Sequence, residues 1–307
     1  MTRLRHSVQA YVRSLQISRA KLHIYVEGPI PDRYVYDKIA QDLCPSSWDY
    51  KIATAEEIPT GPTGGGKPRL RLWYEFLRGQ GMLVVNFKSR RAVTAFIFDK
   101  DIDDVTGTRC RSPHVIYTRW YELENHLFEG GNLADTCASI LGRTRGEIRA
   151  ALGEQRDWRR SVATRWREWV ELCLTAALLR VRNYPGYNSL SRVHNSHEES
   201  ADLAKVTSEL GVIQSRSGSA MAFHRIYGRA QRKVHAAFEA DEFDLVFKGK
   251  WYCVVLEADL RAAGLWRPSI KGSFADRVVA GLALSVAPSG SWCSYVRDPL
   301  IQLLALI

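Results

Sequence analysis

Residues 92–104 read AVTAFIFDKDIDD, a run of seven β-favouring residues that breaks abruptly into acid at Asp99, Asp101, Asp103 and Asp104. An apolar run without polar alternation is the pattern of a strand covered on both faces, as in parallel sheets flanked by helices. Its acidic exit matters because sites in open α/β sheets assemble at the carboxyl ends of the strands. Two other stretches repeat the arrangement. Lys21 to Val26 (KLHIYV) runs straight into Glu27-Gly28, and Val115 to Thr118 (VIYT) leads to YELENHLF, which carries Glu122 and Glu124. Three strand-like runs therefore each deliver carboxylates.

Between these runs the apolar residues change period. From Asp32, placed as an N-cap, Tyr36, Ile39, Ala40 and Leu43 recur at helical spacing, and Cys44-Pro45 stops the helix. A short apolar run follows at Tyr50 to Ala55. A second helix passes through Leu70, Trp73, Tyr74 and Leu77 and ends near Gly79. Strand and helix in alternation up to about residue 130 predict an α/β domain, residues 1–130, with a mainly parallel sheet flanked by helices. Residues 131–307 read as a mostly helical lobe, including one long segment from about Trp158 to Val181. Only Asp244 to Phe247 and Trp251 to Leu256 look strand-like there, and either could be helical. They flank Lys248-Gly249-Lys250, which a fold-back of the lobe onto the sheet would bring near the acids.

The 307 residues carry 43 Lys+Arg against 33 Asp+Glu, a net charge of +10 that favours a polyanionic partner, nucleic acid or an anionic membrane surface. No apolar stretch approaches the ~20 residues of a spanning helix. Arg3, Arg5, Arg13 and Arg19 interrupt any apolar centre of a signal peptide, so the expected location is the cytoplasm and no membrane partner is expected. The six cysteines show no CxxC pair and no zinc spacing, which predicts reduced thiols.

In an extended chain alternate residues point the same way, so Asp99 and Asp101 are expected to offer two carboxylates to one cation. Oxygen-only donors suit Mg2+ or Mn2+. Such cations serve phosphodiester cleavage by polarising phosphorus and stabilising the leaving oxygen, with a carboxylate such as Glu27 as general base. A single acidic loop residue is more often a solvated or capping carboxylate. Three acidic clusters at strand ends argue against that reading here.

The glutamate of VEG (Glu27), the DxD motif after a strand (Asp99-Lys100-Asp101) and ELEN (Glu122 to Asn125) resemble the TOPRIM superfamily of nucleases, topoisomerases and primases. With IFDKDID, YELENHLF and the late KGK, the chain resembles more narrowly a TOPRIM-like nuclease family of bacterial defence proteins. That family includes the effector of the PARIS anti-phage system and is related to the overcoming-lysogenization-defect nucleases. The resemblance spans roughly residues 21–128, with an echo near 244–256. It implies a TOPRIM-like fold with Glu27, Asp99, Asp101 and Glu124 as catalytic and metal-ligating residues and Asp103 as a further ligand. Lys248 or Lys250 would stabilise transition-state charge. It further implies a Mg2+- or Mn2+-dependent endonuclease acting in abortive infection on tRNA, other RNA or DNA. An ABC-type ATPase would be the partner, and the active form a homodimer. Related sequences place an acid four positions after the glutamate, whereas Asp32 lies five after, which leaves ligand and helix cap open for it. A catalytically silent scaffold of the same fold and a DNA-nicking nuclease are the alternatives.

Two basic segments could bind nucleic acid. Arg225, Arg229, Arg232 and Lys233 fall on one face of a predicted helix, where they could track a phosphate backbone. Arg156, Arg159, Arg160, Arg165 and Arg167 invite the same reading. Gly61 to Lys67 (GPTGGGK) has P-loop spacing, but Pro68 replaces the required Ser/Thr and no buried strand leads into it, so a loop is expected. His194, His197, Glu198 and Glu199 lack a third ligand partner, and capping or exposure is expected of them.

Overall fold

The computed structural model describes residues 7–59, 66–88, 90–181, 184, 187, 190–195, 199–266 and 273–307. Most of the P-loop-like segment, together with His197 and Glu198, lies outside them. The chain forms two compact units that alternate along the sequence. The first comprises Met1–Asp99, Cys110–Thr118 and Val286–Ile307, and the second Lys100–Arg109 and Arg119–Ser285. The units thus do not follow a single boundary at residue 130.

The first unit is an α/β layer structure. Strands β1 (Leu22–Val26), β2 (Tyr50–Thr54), β3 (Val84–Phe87), β4 (Arg90–Phe98) and β5 (Val115–Tyr117) form one sheet in which β2, β1, β4 and β5 run parallel. β4 organises it. Along one edge of this strand the antiparallel β3 pairs with the first half (Val84 opposite Val93, Phe87 opposite Arg90), and β5 takes over on the second half (Phe96 opposite Val115, Phe98 opposite Tyr117).

Side chains alternate across this sheet, and both faces are covered. On one face Tyr25, Phe96 and Phe98 pack with Tyr11 and Leu15 of α1 (Val8–Ile17) and Leu70, Trp73, Tyr74 and Leu77 of α3 (Lys67–Gly79). Tyr25 stacks on Phe96 at 5.0 Å, and the Tyr74 ring meets Phe96 edge-on at 5.5 Å. The opposite set, Leu22, Ile24, Val26, Val93 and Ala95, is fully buried. Here α2 (Asp32–Leu43) packs on β2, and α14 (Ser294–Leu304) packs on β4, β5 and α2. Each such large side chain contributes about 1.5–3 kcal/mol on burial.

The second unit is helical, as expected of the later sequence: α4 (Asp103–Thr106), α5 (Leu123–Gly130), α6 (Leu133–Leu141), α7 (Arg145–Leu152), α8 (Gln155–Arg165), α9 (Arg167–Leu178), α10 (Leu203–Arg216), α11 (Ala220–Glu239), α12 (Lys250–Ala262) and α13 (Phe274–Ser285). Its only described strands are the two-residue β6 (His194–Asn195) and β7 (Ser200–Ala201). Two expectations are corrected. The long segment from Trp158 breaks at Trp166, which leaves helical geometry at φ −116°, ψ 11°. The strand-like stretches at 244–256 are a 3-10 turn (Phe243–Leu245) and α12. Trp251, Tyr252, Val255, Leu256 and Leu260 are buried at helical spacing, and that packing outweighs the β preference of the Val254-Val255 pair.

All six cysteines are free. No helix among the described residues is long and apolar enough to cross a membrane.

Candidate functional site

In the first unit, β1 and β4 are parallel neighbours, so the residues that follow them emerge side by side. Glu27 leaves β1 and its Oε1 accepts the backbone N–H of Asp99, just beyond β4, at 2.9 Å. The loop after Glu27 folds back so that Gly28 N–H donates to Asp32 Oδ2 at 2.8 Å. Asp32 is the first residue of α2, and Pro31 occupies its N-cap position without a side-chain bond. The expected helix-capping role of Asp32 is therefore replaced by closure of the EGPIPD loop. Tyr36 of α2 and Tyr295 of α14 bring their hydroxyls within 3.2 Å of each other. Burial first, and then Tyr295 and the charges of Asp32 and Asp99, push the Tyr36 hydroxyl well above its usual range. Both phenols stay protonated, and one donates to the other.

The second unit begins at Lys100, and Asp101 departs from the extended geometry expected of DxD. The strand ends at Phe98, and Asp101 sits in the left-handed region at φ 48° with its N–H donating to Tyr121 O at 2.7 Å. Strand alternation therefore does not set the direction of the Asp101 carboxylate. Asp103 starts α4, and its Oδ1 accepts the Thr108 hydroxyl at 2.8 Å. Lys100 is buried and donates to Arg119 O at 2.9 Å. Burial lowers its pKa to about 8; Asp104 opposes that shift and Lys233 adds to it.

Glu122 and Glu124, 2% and 6% exposed, open α5. Lys250 meets both. Glu122 Oε1 accepts the Lys250 backbone N–H at 2.7 Å, while Lys250 Nζ lies 3.3 Å from Glu122 and 3.5 Å from Glu124. Burial and the neighbouring Glu124 push Glu122 up to about 7, against the pull of Lys250 and Lys248. The KGK segment reaches this position because its glycine has no side chain. A Cβ on Gly249 would come within 2.5 Å of Asn125 N. Asn125 in turn donates to Asp244 Oδ1 at 2.6 Å and to Phe247 O at 3.0 Å. Asp244 also accepts from Tyr252 and from the buried Arg159. His126 is fully buried, accepts the Trp120 N–H on Nε2 and has its pKa lowered by burial, as befits a structural histidine.

The carboxylates are hard oxygen donors of the kind Mg2+ and Mn2+ take. Within the described residues, however, no group of three or more His, Cys, Asp or Glu side chains is placed to hold a metal ion. Glu27 and Asp99 belong to the first unit; Asp101, Asp103 and Glu124 belong to the second. Nothing in the local sequence marks Tyr295, which enters from the last helix, whereas Asp244 opens the stretch 244–256 that echoes the motif resemblance. Asn125 stood within the quoted ELEN.

The two basic segments part company. Arg156 and Arg160 pair with Asp241, Arg159 with Asp244, Arg165 with Asp259 and Arg167 with Glu171. By contrast Arg225, Arg229, Arg232 and Lys233 line the exposed side of α11, opposite the buried Phe223, Ala230, Val234 and Ala237. His194 is bonded to Glu199 at 2.7 Å. Comparison with known proteins finds no matching family model and no matching curated relative.

Proposed function

We propose that this chain is a metal-dependent TOPRIM-class endonuclease. The observation that carries the reading is the pairing of Glu27 with Asp99 at the carboxyl ends of two adjacent parallel strands. Asp101, Asp103 and Glu124 are the further donors that the motif resemblance implies, with Lys248 and Lys250 as the cations. When bound, Mg2+ or Mn2+ would polarise the scissile phosphate and lower the pKa of water. The chain's own contribution is to hold the Glu27 carboxylate by a backbone N–H, to keep the paired Tyr36 and Tyr295 hydroxyls protonated, and to fix Lys250 beside Glu122 and Glu124. The net charge of +10 and the exposed basic face of α11 support a nucleic-acid substrate.

The resemblance extends the proposal to an anti-phage effector in the cytoplasm that causes abortive infection by cutting tRNA or other nucleic acid. It would be restrained by an ABC-type ATPase and active as a homodimer. A catalytically silent scaffold of the same fold is the second reading.

The deciding experiment incubates the purified chain with end-labelled tRNA, single-stranded RNA and DNA in Mg2+, Mn2+ or EDTA. Cleavage in metal, lost in EDTA and in Asp99→Ala, is the expected outcome. Glu27→Gln keeps an acceptor for the Asp99 N–H and removes the charge, so it should stay folded and lose activity by about 10²-fold or more, the scale of a general base. Intact substrates in every metal would establish the scaffold reading instead.

A further inference from the structure

We propose that Arg180 and Arg229 form a phosphate subsite for a nucleic-acid strand lying along α11, an inference that rests on the nucleic-acid reading above. The two arginines face a cavity of about 350 Å³ whose other walls are Asp104 to Gly107 and the end of α9. Among the described residues, the side chains of Asp104, Arg180 and Arg229 have no hydrogen-bond or ion-pair partner, although the charge of Asp104 acts on the buried Lys100. Arg180 follows α9 in the left-handed region at φ 52°, a conformation unfavourable for a residue with a Cβ. Among the described lining residues two guanidinium charges stand against one carboxylate, an excess of one positive charge that a single phosphodiester neutralises. Guanidinium groups also match phosphate oxygens with paired donors.

Outside the cavity the face continues. Arg225, Arg229, Arg232 and Lys233 span nine residues of α11, or about 12 Å of helix from first to last. That length matches roughly three to four nucleotides at about 3.4 Å each. The arginines of α8, already held by internal carboxylates, provide the contrast.

The test is equilibrium binding of a short fluorescent single-stranded RNA to the full chain, in EDTA, across a salt series. Arg180→Gln/Arg229→Gln should weaken binding at least about tenfold and reduce the log–log salt slope by about 0.7, the value for one phosphate contact on a single strand. Asp104→Asn should tighten binding. Arg156→Gln/Arg160→Gln, which removes the same charge from paired positions, should leave the slope unchanged. Circular dichroism confirms that each variant is folded. Unchanged affinity and slope in the Arg180/Arg229 variant, or no binding by the wild type at low salt, overturns the subsite. Because no metal is present, binding with this dependence but without cleavage in Mn2+ sinks the nuclease reading and leaves the subsite standing.

Discussion

Gly249 shows how one residue can set a site. Its missing side chain lets the chain pass against the start of α5, so that Lys250 N–H reaches Glu122. Gly249→Ala would drive a methyl group into Asn125 N at 2.5 Å. Overpacking of this kind costs about 1–3 kcal/mol, and here the obstacle is backbone. A fall of that size in urea-unfolding stability is expected, with loss of any nuclease activity; a variant as stable as the wild type would remove the argument. His23 gives a pH-dependent counterpart. It lies in β1, its Nε2 is buried without a partner, and burial lowers its pKa to about 4. The unfolded chain takes up the proton near 6.5 and the folded chain only near 4, so stability is intact above pH 6.5 and falls as pH drops toward 4. The loss amounts to about 3 kcal/mol. Unfolding measured from pH 7.5 to 4 should show this slope, and His23→Leu should remove that share of it.

Among the elements, the tie between α5, α8 and α12 runs through Asp244, which accepts from Asn125, Tyr252 and Arg159. Asp244→Ala would leave the Arg159 guanidinium buried and uncompensated, a loss of about 3–5 kcal/mol. Asp244→Ala/Arg159→Met should recover much of it, and equal stability of the two variants would show that the stranded charge is not the cause. The same region shows what the sequence conceals. β1, β4 and β5 were legible because strands buried on both faces are written as apolar runs, and Glu27 and Asp99 were legible as the acids ending two of them. β3 (VVNF) is half exposed and short, so it left no such run. α12 was obscured because WYCVVL is aromatic and β-branched, and only its burial against other helices chooses the helix. DxD was readable as acidic but not as geometry, since the left-handed turn at Asp101 follows from where β4 stops.

At the scale of the whole molecule, the chain passes between the two units after Asp99, Arg109, Thr118 and Ser285. The first unit is completed by the last segment, Val286–Ile307, whose helix α14 packs on β4, β5 and α2 and brings Tyr295 to Tyr36. A fragment of residues 1–130, the domain that alternating strands and helices suggest, would therefore lack the cover for Val93, Ala95 and Ile97, all of which are buried. It would also carry Leu123, Leu127 and Phe128 of α5, buried in the full chain, without the rest of their unit. Exposing several such side chains at about 1.5–3 kcal/mol each exceeds the whole stability of an ordinary domain. The fragment should show no cooperative thermal transition and poor amide dispersion in a proton–nitrogen NMR spectrum. A cooperatively folding 1–130 fragment would mean that the sheet does not need α14, and the dependence of Glu27 and Asp99 on a helix at the far end of the sequence would fall with it.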